Sequence, residues 1–116
     1  DAVTDRPVRW LAGELVREAA FEELEQELPY EIAVEVIRFD ERKEGLTYID
    51  ANVLVSRDSQ KRIVVGKGGQ VIKQIGIRAR RGIEEMLDTH IGLKLFVKVD
   101  PRWLKSAKRI ASLGYR

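Results

Sequence analysis

Hydrophobic and polar positions follow two different periods along the chain, and the changes of period divide it into elements. A helical period runs from Pro7, a residue suited to the first turn of a helix, to about Leu28, just before Pro29. Two segments with a period of two follow, EIAVEVIRFDE and LTYIDANVLVSR. The short polar connection around Gly45 predicts that these two strands pair antiparallel.

The second half of the chain predicts one more amphipathic helix and one more strand. The apolar stripe of the helix consists of Ile72, Ile75, Gly76, Ala79, Ile83 and Met86. A glycine inside a helix costs about 1 kcal/mol relative to alanine, so we expect Gly76 to allow close packing against the sheet. The segment GLKLFVKVD then alternates as a third strand, which ends at Asp100 and Pro101. Residues 58–65 are too few for periodicity to distinguish a short strand from a helical turn.

This order of elements predicts an α+β fold in which a three-stranded sheet is covered on one face by helices. A length of 116 residues is enough for one domain with its own core. The absence of cysteine excludes disulfides and thiolate metal sites, and with a single histidine a zinc site is not expected. The sequence shows neither a signal-peptide pattern nor an apolar run of about 20 residues, which makes the cytoplasm the expected location.

Charge is distributed unevenly along the chain. Residues 1–50 carry 6 basic and 14 acidic side chains, whereas residues 57–81 carry 8 basic side chains and only one acidic side chain, that of Asp58. A further 5 cations and no anions lie in residues 101–116. Because local patches steer binding more than net charge does, the middle segment is expected to meet an anionic partner. Internal neutralisation by the acidic half of the chain is the simpler alternative.

A glycine-rich turn lies between the basic segment's apolar run and the second amphipathic helix. Gly66, Gly68 and Gly69 surround Lys67. Glycines permit left-handed backbone dihedrals and leave no Cβ in the way of a ligand. The following helix adds free N–H groups and about half a positive charge at its N-terminus. The turn is therefore a candidate phosphate-binding loop.

The spacing of this turn argues against a mononucleotide or dinucleotide site. A P-loop needs GxxxxGK followed by serine or threonine, but Lys67 is followed by Gly68, and Lys61 stands where the first glycine would be. The GxGxxG pattern does not fit either. A nucleic-acid backbone is the remaining phosphate ligand, and no carboxylate or histidine pair has a spacing that indicates catalysis.

The turn and its apolar flanks, IVVGKGGQVI, resemble the [IV]IGxxGxxI signature of KH domains, in which a GxxG loop clamps about four nucleotides of single-stranded RNA. The element order resembles the type II KH arrangement, α-β-β-α-α-β. From about Asp5 to Val99 the chain also resembles the C-terminal domain of the Era family of bacterial GTPases. The resemblance implies a helical element within 58–65, an interdomain linker remnant at 1–6 and a type II KH domain at 7–100. It weakens past Pro101, and the residues themselves predict a basic, helical tail at 101–116.

The same resemblance implies a function. It indicates binding of single-stranded RNA at the 3′ end of small-subunit ribosomal RNA during ribosome assembly, with the small ribosomal subunit and an N-terminal GTPase domain as partners. That GTPase domain is not in this sequence, so neither catalysis, nor a cofactor, nor a metal is expected. A peripheral position at the inner membrane surface stays open. The alternative function is a protein-docking module for a GTPase domain or a ribosomal protein.

The residues expected to contact RNA are Gly66, Lys67, Gly68, Gly69, Ile63, Val65, Ile72, Lys73, Arg57 and Arg80, with Arg78 as a further cation. The three apolar side chains in this set either form a floor for bases or belong to the core. Helical angles place Lys73 and Arg80 on one side of the helix and Arg78 on another.

The aromatic residues outside this set have mainly structural interpretations. Trp10 and Trp103 are expected to be packing anchors rather than stacking platforms. Phe96, between Lys94 and Lys98 on the outward side of the last strand, either stacks a base or shields the sheet. His90 is expected to be structural.

Overall fold

The elements follow the order α-β-β-α-α-β in a computed structural model, which describes residues 2–25 and 28–103. Their bounds are α1 Ala2–Glu23, β1 Ala33–Lys43, β2 Leu46–Val55, α2 Asp58–Val65, α3 Gln70–Leu87 and β3 His90–Val99. Two short 3-10 helices, Leu28–Glu31 and Lys67–Gly69, precede β1 and α3. The predicted α+β fold is confirmed. Residues 58–65, which periodicity could not assign, form a helix.

The described strands form one mixed sheet in the order β1-β2-β3. β1 and β2 pair antiparallel, as the short connection predicts, and Gly45 in the turn between them has a φ of +83°. β2 and β3 pair parallel, with Ala51 opposite Leu95. β3 is therefore an edge strand of the sheet, and α2 and α3 form the crossover that leads to it.

The core lies between one face of the sheet and the helices. The alternating positions of β2, Ile49, Ala51, Val53 and Val55, are all 0% exposed, as their pattern predicts. α3 contributes Ile75, Ala79 and Ile83 to this core, and α1 contributes Ala12, Val16 and Ala20. On β3 the side chains of Lys94, Phe96 and Lys98 are exposed.

The ends of α1 differ from the prediction. The helix begins at Ala2, so Pro7 lies inside it rather than in its first turn. The helix also ends at Glu23, five residues before the predicted end. Leu24 is buried just beyond it, and Leu28 packs against the core from the following 3-10 helix. Leu24 and Leu28 therefore pack in the core although neither is part of α1.

The prediction for one residue of the apolar stripe of α3 is also wrong. Met86 is exposed, whereas Leu87 packs against the core in its place. Leu87 lies four residues after Ile83 and so returns to the buried side of the helix.

In the described ranges no helix has the length and apolar character needed to cross a membrane.

The predicted boundaries at residues 6 and 100 stay predictions. The backbone of residues 2–6 is helical and continuous with α1. The predicted helical tail lies, from residue 104 onward, outside the described residues.

Candidate nucleic-acid interface

Three glycines of the turn have positive φ angles, and the surroundings of Gly66 differ from those of the other two. Gly66 has φ +77° and ψ 172°, and a Cβ there would come within 2.9 Å of the Val71 backbone nitrogen. Gly68 and Gly69 have φ angles of +62° and +78°, and a Cβ at either would meet nothing within 4 Å. Gly66 is thus fixed by packing, whereas the space beside Gly68 and Gly69 is open.

The backbone of the turn leaves hydrogen-bond donors available. Gly69 N–H donates to the Gly66 carbonyl at 3.1 Å, and Gln70 N–H donates to the Lys67 carbonyl. Among the described residues no backbone carbonyl accepts from the N–H of Lys67 or Gly68. The Lys67 side chain is exposed. Free N–H groups, open space and a mobile cation therefore coincide at the tip of the turn, which suits a phosphate.

A buried glutamine fixes the helix that leads into the turn. Gln60 is 4% exposed, and its Oε1 accepts hydrogen bonds from Ser56 N–H at 3.0 Å and Arg57 N–H at 3.2 Å. Its Nε2 donates to Glu31 at 2.7 Å. The start of α2 is thereby tied to the 3-10 helix that precedes β1. These hydrogen bonds therefore help to set the orientation of α2 and, with it, the position of the glycine turn that follows.

A cleft runs between α3 and the edge strand β3, beginning one helical turn after the glycines. Its volume is about 360 Å³, and its lining residues are Ile72, Lys73, Gly76, Ile77, Arg80, Leu93 and Leu95. Lys73 and Arg80 are exposed and lie about 10 Å apart along the helix axis. The structure thus brings three predicted residues, Ile72, Lys73 and Arg80, to one apolar cleft with a cationic rim.

Gly76 has a different role from the one expected. Among the described atoms outside its own helix, a Cβ at this position would meet only Leu95 Cδ1, at 3.8 Å, which is an ordinary contact. Packing of α3 against the sheet therefore does not require a glycine here, and that expectation was wrong. Gly76 instead lines the cleft.

A second cavity, of about 510 Å³, lies beside the turn on α2. It is lined by Asp58, Lys61, Arg62, Val65, Gly66 and Lys67. Lys61 and Arg62 are cations that the list of expected RNA contacts omitted. The signal for them was the spacing 58, 61, 62 and 65, which is one face of a helix. That signal depends on residues 58–65 being helical, which periodicity alone did not establish.

Two of the residues predicted to contact RNA lie outside both the cleft and the cavity beside the turn. Arg57 and Ile63 line a third cavity, of about 540 Å³, together with Glu23, Glu25 and Glu31. A guanidinium nitrogen of Arg57 lies 3.8 Å from the Glu31 carboxylate, and Ile63 is 56% exposed. The structure does not bring these two residues into the cleft beside α3, and their contact with RNA stays a prediction.

Arg78 is engaged by α1. Its Nε donates a hydrogen bond to the Glu23 carboxylate, which raises the pKa of the Arg78 guanidinium above its ordinary value. The helical angles predicted that Arg78 lies apart from Lys73 and Arg80, and the cleft contains only the latter two.

The aromatic residues divide as follows. Trp103 is 7% exposed, which confirms a packing role, whereas Trp10 is 49% exposed and is not a buried anchor. Phe96 is 40% exposed, with Lys98 Nζ 5.9 Å from its ring centre. Because Leu93 and Leu95 line the cleft, the alternate residue Phe96 points to the other side of the sheet.

In residues 2–25 and 28–103, no group of three or more histidine or carboxylate side chains is placed to hold a metal.

Comparisons with known proteins agree with this geometry. Residues 27–104 match the KH domain family. The chain is similar to GTPase Era of Lacticaseibacillus paracasei, with 46% identity over 115 residues, and to GTPase Era of Geotalea uraniireducens, with 45% identity over 115 residues. These alignments cover 99% of this chain but 38% and 39% of the relatives. The chain thus spans about two fifths of the length of the curated relatives it matches.

Two solved structures are similar in fold. One is Aquifex aeolicus Era bound to GDP.AlF4⁻, with a TM-score of 0.83 and 36% identity, covering 94% of this chain and 37% of the other. The second is Era in complex with MgGDPNP and nucleotides 1506–1542 of 16S ribosomal RNA, also with a TM-score of 0.83 and 36% identity. That alignment covers 96% of this chain and 37% of the other.

Proposed function

Because the chain belongs to the KH domain family and corresponds to the C-terminal KH domain of Era GTPases, we propose that it binds single-stranded RNA through its GxxG loop. The loop is Gly66-Lys67-Gly68-Gly69. In this proposal the N–H groups of Lys67 and Gly68 and the Lys67 ammonium group hold the sugar-phosphate backbone.

The observation that carries the proposal is the continuity between the loop and the cleft beside α3. The loop ends and the cleft begins at the N-terminus of α3, where Gln70 follows the last glycine and Ile72 already lines the cleft. A strand whose backbone is held at Lys67 can lay its bases along the apolar floor, with Lys73 and Arg80 near its phosphates. The cleft volume of about 360 Å³ lies near the lower end of small-ligand pockets, roughly 300–1,000 Å³, and suits unpaired bases rather than a duplex.

The target of the proposal is the 3′ end of small-subunit ribosomal RNA. The Era structure with nucleotides 1506–1542 of 16S ribosomal RNA supports this choice, since it shares the fold of this chain. The small ribosomal subunit, in the cytoplasm, is then the assembly in which the domain acts. An N-terminal GTPase domain is the partner within the longer protein, and we expect no GTP turnover by the present segment.

The test is a double substitution in the loop, Lys67→Asp with Gly68→Asp. Aspartate tolerates left-handed dihedrals better than most residues, and the space beside Gly68 is open, so the fold is expected to persist. Two added carboxylates next to the free N–H groups are expected to abolish binding to a single-stranded RNA fragment of the 16S 3′ end. Fluorescence anisotropy measures the binding, and circular dichroism checks the fold.

A matched control lies in the turn between β1 and β2. Gly45 also has a positive φ and open space, and Arg42 beside it is exposed. Gly45 accepts a hydrogen bond from His90 N–H, at the start of β3, which is the end of the cleft away from the loop. Arg42→Asp with Gly45→Asp makes the same change of charge and is expected to leave RNA affinity unchanged. Retained RNA affinity in the loop variant would contradict the proposal.

Protein docking is a second candidate function, favoured by the third cavity. It places exposed Ile63 near Glu25, whereas Glu23 and Glu31 are already paired with Arg78 and Arg57. The cavity therefore suits a partner that presents an apolar side chain with a cation beside it, such as a ribosomal protein. Capture of a purified ribosomal protein that survives ribonuclease and is lost in Ile63→Asp would favour this function. Loss of capture on ribonuclease treatment would instead assign the interaction to RNA.

A further inference from the structure

Gly76 lies at the middle of the cleft between α3 and β3, where the helix presents bare backbone. Lys73 precedes it by three residues and Arg80 follows it by four, so the two rim cations flank it. Outside the backbone of α3 and the two chain neighbours, the only described atom within 4 Å of a Cβ built at Gly76 is Leu95 Cδ1, at 3.8 Å. The absence of a side chain therefore lowers the floor of the cleft by one methyl group at this point.

Folding alone does not account for a glycine in this position. Glycine inside a helix is less stable than alanine, and the neighbouring structure would accept an alanine without displacement. The backbone at Gly76 is helical, with no positive φ. Neither conformation nor packing requires glycine, and the remaining consequence of its presence is the depth of the cleft.

We infer that Gly76 sets the size of the nucleobase that the cleft accepts, and that the deepened floor favours a purine between the phosphates held by Lys73 and Arg80. This inference rests on the proposed function, since it concerns the bases of a strand held by the GxxG loop. A two-ring base reaches further toward the helix backbone than a one-ring base does. An added methyl group shortens that reach, so a purine loses more contact than a pyrimidine.

The experiment compares Gly76→Ala with the unchanged chain in binding to short oligoadenylate and oligouridylate. We expect the melting temperature to rise by about 2–5 °C, because alanine favours the helix. We expect affinity for oligoadenylate to fall by about tenfold, which is the order of one lost base contact, and affinity for oligouridylate to fall by less. Higher stability with weaker binding is a combination that a packing defect would not produce.

Gly82→Ala is the matched control on the same helix. A Cβ there would meet Leu15 Cδ2 at 3.6 Å, on the side of α3 that faces α1, away from the cleft. It is expected to raise the melting temperature similarly and to leave both affinities unchanged. Unchanged affinities in Gly76→Ala, equal losses for both oligonucleotides, or a lowered melting temperature would overturn the inference while leaving the proposed function intact. If the unchanged chain binds neither oligonucleotide nor the 16S fragment, the proposed function itself fails.

Discussion

Gly66 and Val71 lie so close that a Cβ on Gly66 would come within 2.8 Å of the Val71 Cβ. The contact spans the GxxG loop from its first glycine to the first turn of α3. Since Gly66 also has a φ of +77° with a ψ of 172°, both its conformation and its surroundings require glycine. The loop is thus closely packed at Gly66, whereas the space beside Gly68 and Gly69 is open.

Gly66→Ala is therefore expected to destabilise the domain strongly. Overpacking against Val71 and backbone strain together lower the free energy of unfolding by about 3 kcal/mol. Urea denaturation followed by circular dichroism measures the change. Gly69→Ala is the control, because Gly69 has a similar φ of +78° but open space around it. The control is expected to lose only about 1 kcal/mol, and equal losses in the two variants would show that Val71 is not the cause.

Gln60→Ala tests the network at the start of α2. It removes the acceptor for two backbone N–H groups, those of Ser56 and Arg57, and the donor to Glu31. Groups left unpaired in a partly buried site lower the free energy of unfolding by about 1–3 kcal/mol. Gln74→Ala, an exposed change of the same kind on α3, is expected to stay within about 0.5 kcal/mol of the unchanged chain. A thermal melt of both variants separates the two cases.

The part of the fold that follows local periods could be predicted from the sequence. β2 is an example, since its alternation predicted four buried positions and all four are fully buried. α2 is the opposite case, because eight residues contain too few turns for a period to be recognised, and only the resemblance implied a helix. The parallel pairing of β3 with β2 also has no local signal, because it depends on which edge of the sheet the crossover reaches.

The candidate RNA-binding site also has one part that the sequence predicts, the loop, and one part that it does not, the cleft. The loop could be found from its glycines, since positive φ angles leave a direct mark on the sequence. The cleft could not, because it arises where α3 lies beside the edge strand, and Leu93 and Leu95 are distant from the loop in sequence. Gly76 was assigned to packing because a glycine inside an apolar stripe has the same pattern whether it contacts a neighbour or borders an open cleft.

Lys61 and Arg62 supply a prediction that the sequence did not make. They line the cavity beside Lys67, so they lie near the proposed phosphate position. Lys61→Gln with Arg62→Gln is expected to weaken binding to the 16S fragment roughly fivefold, which corresponds to about 1 kcal/mol for exposed charges. Arg57→Gln tests the RNA contact that the sequence predicts for this residue, whose guanidinium faces Glu31 in the third cavity. Unchanged affinity in this variant would remove Arg57 from the predicted contacts. A larger loss from Arg57→Gln would place the RNA across the start of α2 instead.

The rim cations of the cleft make the last prediction, which concerns salt. Each phosphate that a cation neutralises releases counterions, so the logarithm of the binding constant falls with the logarithm of salt concentration by about 0.7 per contact on a single strand. Lys73→Gln and Arg80→Gln are each expected to reduce this slope by about 0.7. Arg78→Gln removes the same charge from the same helix, but Arg78 is engaged by Glu23 on α1 and lies outside the cleft. Its slope should therefore match that of the unchanged chain. Equal reductions in all three variants would mean that α3 attracts RNA by its overall charge and that the cleft does not position the phosphates.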